Sequence, residues 1–166
     1  MDADHKKTAL RMIPYGIYVL TAEANGQTAA ATVNWVTQTS FNPPLVAVAV
    51  KADSGARSIV EAAGSFALNV LGKGQQGTAF GFFKTVERDG AMLGGEKVRN
   101  GSSGAPILES APASVECKVA EIVSRGDHHI VIGEVVDANV AKQPDGRADD
   151  ATLHMRDLGD KVFYGG

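Results

Sequence analysis

Residues 28–50 read TAAATVNWVTQTSFNPPLVAVAV, and the fold turns on how they are read. Val33, Trp35, Val36, Thr37, Thr39 and Phe41 are β-branched or aromatic and favour extended backbone. The stretch reads as one long strand, then Pro43-Pro44, then a second strand over Leu45–Val50. The prolines are expected to end pairing, because proline lacks an N–H and fixes φ. Successive side chains of a strand point to opposite faces. One face then carries Thr32, Asn34, Gln38 and Ser40, interrupted by Val36; the other carries Ala31, Val33 and Trp35, then Thr37 and Thr39. The polar face holds only neutral donors and acceptors. Such a row suits either solvent or a neutral heteroaromatic ligand with alternating N–H and C=O groups.

Upstream, Asn25-Gly26 is a hairpin signal joining a strand at Ile17–Thr21 to the long strand. Residues 4–13 read as a short helix with Asp4 as N-cap and Pro14 as its stop. Downstream, Asp53 or Ser54 caps a helix running to about Ala63, with Gly64 ending it. The free N–H groups of that helix start attract an anion, and Lys51 and Arg57 add positive charge. Taken alone, the same residues also allow a capped surface helix with a solvated arginine.

Ser65–Leu71 is a strand, and Gly72-Lys-Gly74-Gln-Gln-Gly77 after it fits the dinucleotide fingerprint ahead of a helix over 75–83. A Rossmann unit also needs a second strand ending in an acid about 20 residues on. Glu96 has that spacing, but residues 84–96, KTVERDGAMLGGE, contain no apolar run for the strand, so this reading is set aside. Residues 84–104 read as a long Gly-rich loop. Val115–Val123, the turn Ser124–Asp127 and a returning strand His128–Val136 follow. Pro144-Asp-Gly146 marks a further turn, and short pieces at 151–156 and 161–164 complete the chain. Many strands, few helices and no second Rossmann strand predict a mainly β protein. The expected fold is a six-stranded antiparallel Greek-key barrel with short peripheral helices.

The 166 residues suffice for one domain with a real core, and a net charge of −3 argues against non-specific nucleic-acid binding. The single cysteine, Cys117, excludes an internal disulfide and reads as a buried thiol. No apolar stretch reaches the ~20 residues that span a membrane, and the N-terminus lacks a signal-peptide core. The expectation is a soluble cytoplasmic protein. His5, His128, His129 and His154 show no metal-ligand spacing. No nucleophile is identifiable beside Asp127 and His128, and Gly101-Ser-Ser-Gly104 is not a nucleophile elbow. The absence of hydrolytic machinery fits an enzyme whose cofactor carries the chemistry.

The run Asn34-Trp35-Val36-Thr37-Gln38-Thr39-Ser40-Phe41-Asn42-Pro43-Pro44-Leu45-Val46 resembles the signature of the flavin reductase-like, FMN-binding split-barrel family. Gly126-Asp127-His128, Gly133-Glu134-Val135, Pro14–Thr21 and Tyr164-Gly165-Gly166 extend the resemblance in the same order over nearly the whole chain. The likeness is greatest to the flavin reductase modules of high-molecular-weight rubredoxins and cyanobacterial diflavin proteins. It implies a split β-barrel over residues 1–166 that binds FMN and takes a hydride from NADH or NADPH. The ring would lie along Thr32, Asn34, Trp35, Val36, Thr37, Gln38 and Ser40, and the phosphate near Lys51, Ser54, Arg57 and Ser58. The family histidine near the nicotinamide corresponds to His128, which is expected to orient it; His129, facing the other way, is expected to tolerate change. Many family members carry a lysine near the flavin in the loop at 84–104, where Met92 stands here, with Lys84 and Lys97 nearby. Homodimers are common in the family, and a redox protein is a possible acceptor. A flavoredoxin-like FMN electron carrier and a non-catalytic flavin-binding module are the alternative functions.

Overall fold

The structure, a computed structural model, describes residues 1–166. Helix α1 (Ala3–Arg11) precedes strands β1 (Tyr18–Ala24) and β2 (Gln27–Val33). Its cap is Asp2 rather than Asp4: the Asp2 carboxylate accepts from the His5 N–H at 2.8 Å. Asp4 instead places its charge in the first turn, which also suits the helix dipole. β1 and β2 pair across Asn25-Gly26, where both φ angles are positive (54° and 73°), as a two-residue primed turn requires.

The 28–50 stretch is not one strand followed by another. It breaks at Asn34-Trp35, and β3 (Val36–Phe41) turns away from β2 to pair with β4 (Pro44–Lys51). Nor does the double proline end pairing. Phe41 stands opposite Pro44, and Asn42-Pro43 forms the turn of the β3–β4 hairpin. A proline at the first residue of a strand needs no ladder N–H, which is why Pro44 is tolerated there.

The remaining elements are α2 (Gly55–Ala63), β5 (Ser65–Val70), α3 (Gln76–Gly81), β6 (Arg88–Asp89), β7 (Met92–Leu93), β8 (Glu96–Asn100), β9 (Pro106–Leu108), β10 (Ala113–Val123) and β11 (His128–Val140). Ser54 caps α2 by accepting from the Arg57 N–H, and Gly64 ends it. Seven strands form one antiparallel sheet in the order β2-β1-β5-β10-β11-β4-β3. Its two edge strands, β2 and β3, are joined only through Asn34 and Trp35. Such a link spans roughly 11 Å at most, so the sheet must roll until its edges approach. Val33 from one edge and Val48 from the strand beside the other then share one core with Leu20, Phe66 and Val131.

The expectation of six strands is therefore corrected to seven, because the central run divides in two. The expected loop at 84–104 is corrected as well. It contributes β6, β7 and β8 to a second antiparallel sheet, β6-β7-β8-β9. These strands are too short to show alternation in the sequence, yet Leu93 and Val98 are buried. They close a second core with Ile17, Val19, Leu71, Phe82, Leu108 and Leu153. Val19 faces this cluster and its neighbour Leu20 faces the first, so the start of β1 is covered on both sides and Ile17–Leu20 reads as a continuous apolar run. Glu96 accepts from the hydroxyls of Thr78 and Ser110, each at 2.7 Å, so it is a loop clamp in an antiparallel sheet rather than a nucleotide-binding acid.

Cys117 is fully buried in the first core. Burial, and then the neighbouring Glu116 charge, push its thiol up to about 12. Since the thiolate is the reactive species, native protein should leave a thiol-exchange reagent unconsumed at pH 8. The same reagent should count one thiol after denaturation, and rapid native labelling would contradict this burial. No helix is long and apolar enough to cross a membrane.

Candidate functional site

β11 starts at His128, directly after the Gly126-Asp127 turn, and its register with β4 sets His128 opposite Lys51 and His129 opposite Val50. Adjacent strand residues face opposite ways, so the two histidines serve two separate groups of side chains.

The first group surrounds His128. Its Nδ1 lies 2.9 Å from Asp127 Oδ1 and its Nε2 lies 2.7 Å from the Tyr164 hydroxyl. A carboxylate only accepts, so Nδ1 carries the proton and donates to Asp127. The lone pair of Nε2 then receives the Tyr164 O–H. The hydrogen bond from His128, followed by the charge the imidazole carries when protonated, holds the Asp127 carboxyl below its ordinary range. Trp35 meets His128 edge-on with ring centres 4.8 Å apart and meets Tyr164 at 5.5 Å. Asn34, 5% exposed, donates its Nδ2 to the Tyr164 carbonyl at 3.0 Å. The indole Nε1 of Trp35 is buried without any acceptor, close under Gly165. An unpaired buried donor costs about 1–3 kcal/mol, so the cluster carries a standing demand for an acceptor.

The second group surrounds His129. The Arg57 side chain is buried, its Nε donating to His129 Nδ1 at 3.2 Å and its Nη1 to Glu61 Oε2 at 3.0 Å. His129 thus supports the guanidinium from the face of β11 opposite to His128. Ser54 donates to the Lys51 carbonyl at 2.7 Å while capping α2. Lys51, which stands opposite His128 rather than His129, is exposed and pairs with Asp53 at 3.2 Å; Ser58 is exposed on the first turn of the helix.

The central strand contributes unevenly. Thr32 is tied to the Ala79 carbonyl through its hydroxyl and to the Phe82 carbonyl through its N–H, so it anchors β2 to α3. Val36 packs against the first core. Thr37 and Gln38 are exposed, and Ser40 is half-buried beyond a register shift. The row of alternating polar positions is therefore not continuous: the break at Asn34-Trp35 separates Thr32 from Gln38 and Ser40. What remains is a sheet edge with a free ladder and neutral side chains, beginning beside Trp35 and the Lys51 end of β4.

Tyr164 is the member whose role sequence reasoning missed. It stood in the Tyr164-Gly165-Gly166 signature, but nothing local links it to a histidine 36 positions earlier. No group of three His, Cys, Asp or Glu is placed to hold a metal ion. The residues fit a flavin on two observations. The unpartnered indole N–H and neutral strand edge suit its ring, and the α2 start with Lys51 suits its phosphate.

Comparison with known proteins gives a consistent result. The family model described as flavin reductase like domain matches residues 10–158. The flavin reductase of Pseudomonas putida is 31% identical over 144 residues, covering 86% of this chain and 83% of that protein. Diflavin flavoprotein A 1 of Synechocystis sp. is 36% identical over 143 residues, covering 86% of this chain. The chain spans about a quarter of the length of the diflavin flavoproteins that it matches. Among solved structures, the NADH:FAD oxidoreductase SgcE6 of Streptomyces globisporus C-1027, in complex with NAD and FAD fragments, superposes with a TM-score of 0.68 at 31% identity. The match covers 79% of each chain.

Proposed function

The chain belongs to the flavin reductase-like family, and from that premise we propose that residues 1–166 act as one domain that reduces bound FMN with NADH or NADPH. The observation that carries this reading is the Asn34–Trp35–His128–Tyr164 cluster at the free edge of β3. When bound, the flavin supplies the hydride-accepting ring. Trp35 and the neutral side chains of Thr37 and Gln38 offer that ring an apolar wall and hydrogen-bonding groups without a competing charge. Ser54, Ser58 and Lys51 would hold the phosphate at the helix start. Arg57 lies beneath them and adds charge from a buried position. His128, fixed in one tautomer by Asp127, orients the nicotinamide, and Trp35 with the 162–166 stretch excludes water. Positioning of this kind contributes to catalysis by replacing the search for a reactive geometry.

Purified protein loaded with FMN should bleach on anaerobic addition of NADH or NADPH within the mixing time of a hand titration. A flavin that stays oxidised with both nucleotides but bleaches with dithionite would instead support the FMN electron-carrier reading. One observation favours that alternative: the Tyr164 hydroxyl already lies on His128 Nε2. A protein that retains no flavin at all would reject both.

The same proposal includes a homodimer in the cytoplasm. The dimer is supported by Phe41, 90% exposed at the tip of β3, and by exposed Phe83 near the second sheet. Light scattering after size exclusion should give twice the chain mass.

Arg57→Ala should weaken FMN binding by about 1–1.5 kcal/mol, less than for a freely extended guanidinium, because Glu61 already shares its charge. An unchanged affinity in a fluorescence titration would remove Arg57 from the phosphate site.

A further inference from the structure

A cavity of about 390 Å³ opens beside the His128 cluster. Tyr164 and Gly165 form one wall, and these are the residues that cover Trp35 and hold His128 from the other side. The opposite walls come from the segment after α1, including Tyr15, and from the stretch His154–Arg156. Two guanidinium groups reach the lining, from Arg11 and Arg156, and neither is paired with a carboxylate in the chain. Arg11 stacks at 4.2 Å over the Phe163 ring and donates only its Nε, to the Gly165 carbonyl at 3.3 Å. Arg156 makes no side-chain hydrogen bond. The Nδ1 of His154 is buried without a partner, its nearest carboxylate being Asp157 at 3.9 Å. Asp160 is the one acid in the lining and opposes two arginines.

Aromatic walls with a few converging cationic donors suit a planar base that carries a phosphate. The volume lies near the lower end of the roughly 300–1,000 Å³ usual for small-molecule sites, enough for one nucleotide rather than a dinucleotide. We propose that this cavity receives the adenosine-phosphate half of the nicotinamide co-substrate, with Arg11 and Arg156 on its phosphates, while the nicotinamide half reaches His128 past Tyr164. The inference rests on the proposed NAD(P)H dependence and deepens it by naming where the non-reacting half of the nucleotide binds. The phosphate contacts act on binding rather than on the hydride step. Their loss should therefore raise KM and leave kcat in place.

Arg156→Gln is the clean variant, because its side chain holds nothing else in the fold; Arg11→Gln also loosens Gly165 and serves as the second. Calorimetry with 5′-AMP and with 2′,5′-ADP, probes that contain no nicotinamide, should give saturable binding to the FMN-loaded wild type. Binding should weaken at least tenfold in Arg156→Gln. The tighter probe identifies the co-substrate as NADH or NADPH. Steady-state assays of Arg156→Gln should show KM for that nucleotide raised at least tenfold, kcat within twofold of wild type, and FMN affinity unchanged. Equal probe binding in wild type and variant, or an unchanged KM, would overturn the site even if the flavin is rapidly reduced. If the probes bind in an Arg156-dependent way but neither nucleotide bleaches the flavin, the cavity stands as an adenine-nucleotide site and the reductase reading falls.

Discussion

His128→Ala is expected to keep its FMN and to be reduced by NAD(P)H about 10- to 100-fold more slowly than wild type, a barrier increase of about 1.4–2.7 kcal/mol. Of the residues proposed to hold the flavin phosphate, Arg57 bonds His129 and Ser54 and Ser58 belong to the α2 start, while Lys51 stands opposite His128 but pairs with Asp53, so truncation at His128 leaves them in place. What it removes is the imidazole held between Asp127 and Tyr164 and packed edge-on against Trp35. A small misplacement of the two reacting rings is costly in rate, which is why the effect belongs to the hydride step. Stopped-flow absorbance at saturating nucleotide measures it directly. Equal rates for variant and wild type would take His128 out of the mechanism and favour electron carriage. His129→Ala provides the contrast. It withdraws the acceptor of Arg57 Nε, so FMN affinity should fall while the rate of the bound flavin stays near wild type.

Gly133→Ala is expected to destabilise the protein by about 2–3 kcal/mol, the cost of overpacking a rigid core. A Cβ at this position would lie 2.6 Å from Phe66 Cζ and 2.7 Å from Cys117 Cβ. Both residues are fully buried at the centre of the first core. Phe66 cannot swing away without leaving its cluster, and Cys117 Cβ moves only with the β10 backbone. For a chain of this size the shift in Tm should be roughly 5–10 °C. Gly55→Ala is the control: it opens α2, meets nothing within 4 Å, and should leave Tm equal or slightly raised. A Tm for Gly133→Ala within a degree of wild type would mean that β11 is free to retreat from Phe66. The role of Gly133 in the Gly133-Glu134-Val135 signature would then lie elsewhere.

Much of this architecture is legible in the residues themselves, and the legible part is local. Asn25-Gly26 specifies its hairpin because two adjacent positive φ angles suit those residues. Ser54 and Gly64 bracket α2 because the capping bonds reach only three or four residues. The signature around Asn34–Val46 identified the family, and strand after strand with few helices identified an antiparallel β protein. The same local reading ran Asn34 and Trp35 straight through, since both accept extended backbone. It is the rolling of the sheet, a property of seven strands at once, that turns the chain between the two edges there.

The site was decided by tertiary structure for the same reason. Arg57 meets His129 across 72 positions, His128 meets Tyr164 across 36, and Asn34 meets the Tyr164 carbonyl across 130. Alternation along β11 determined from the sequence that His128 and His129 point apart. Which partners wait on each face depends on how β4, α2 and the 162–166 stretch pack around that strand. Side-chain hydrogen bonds between distant elements have no periodicity to read, because they depend on the relative placement of whole packed layers rather than on the spacing of residues along the chain.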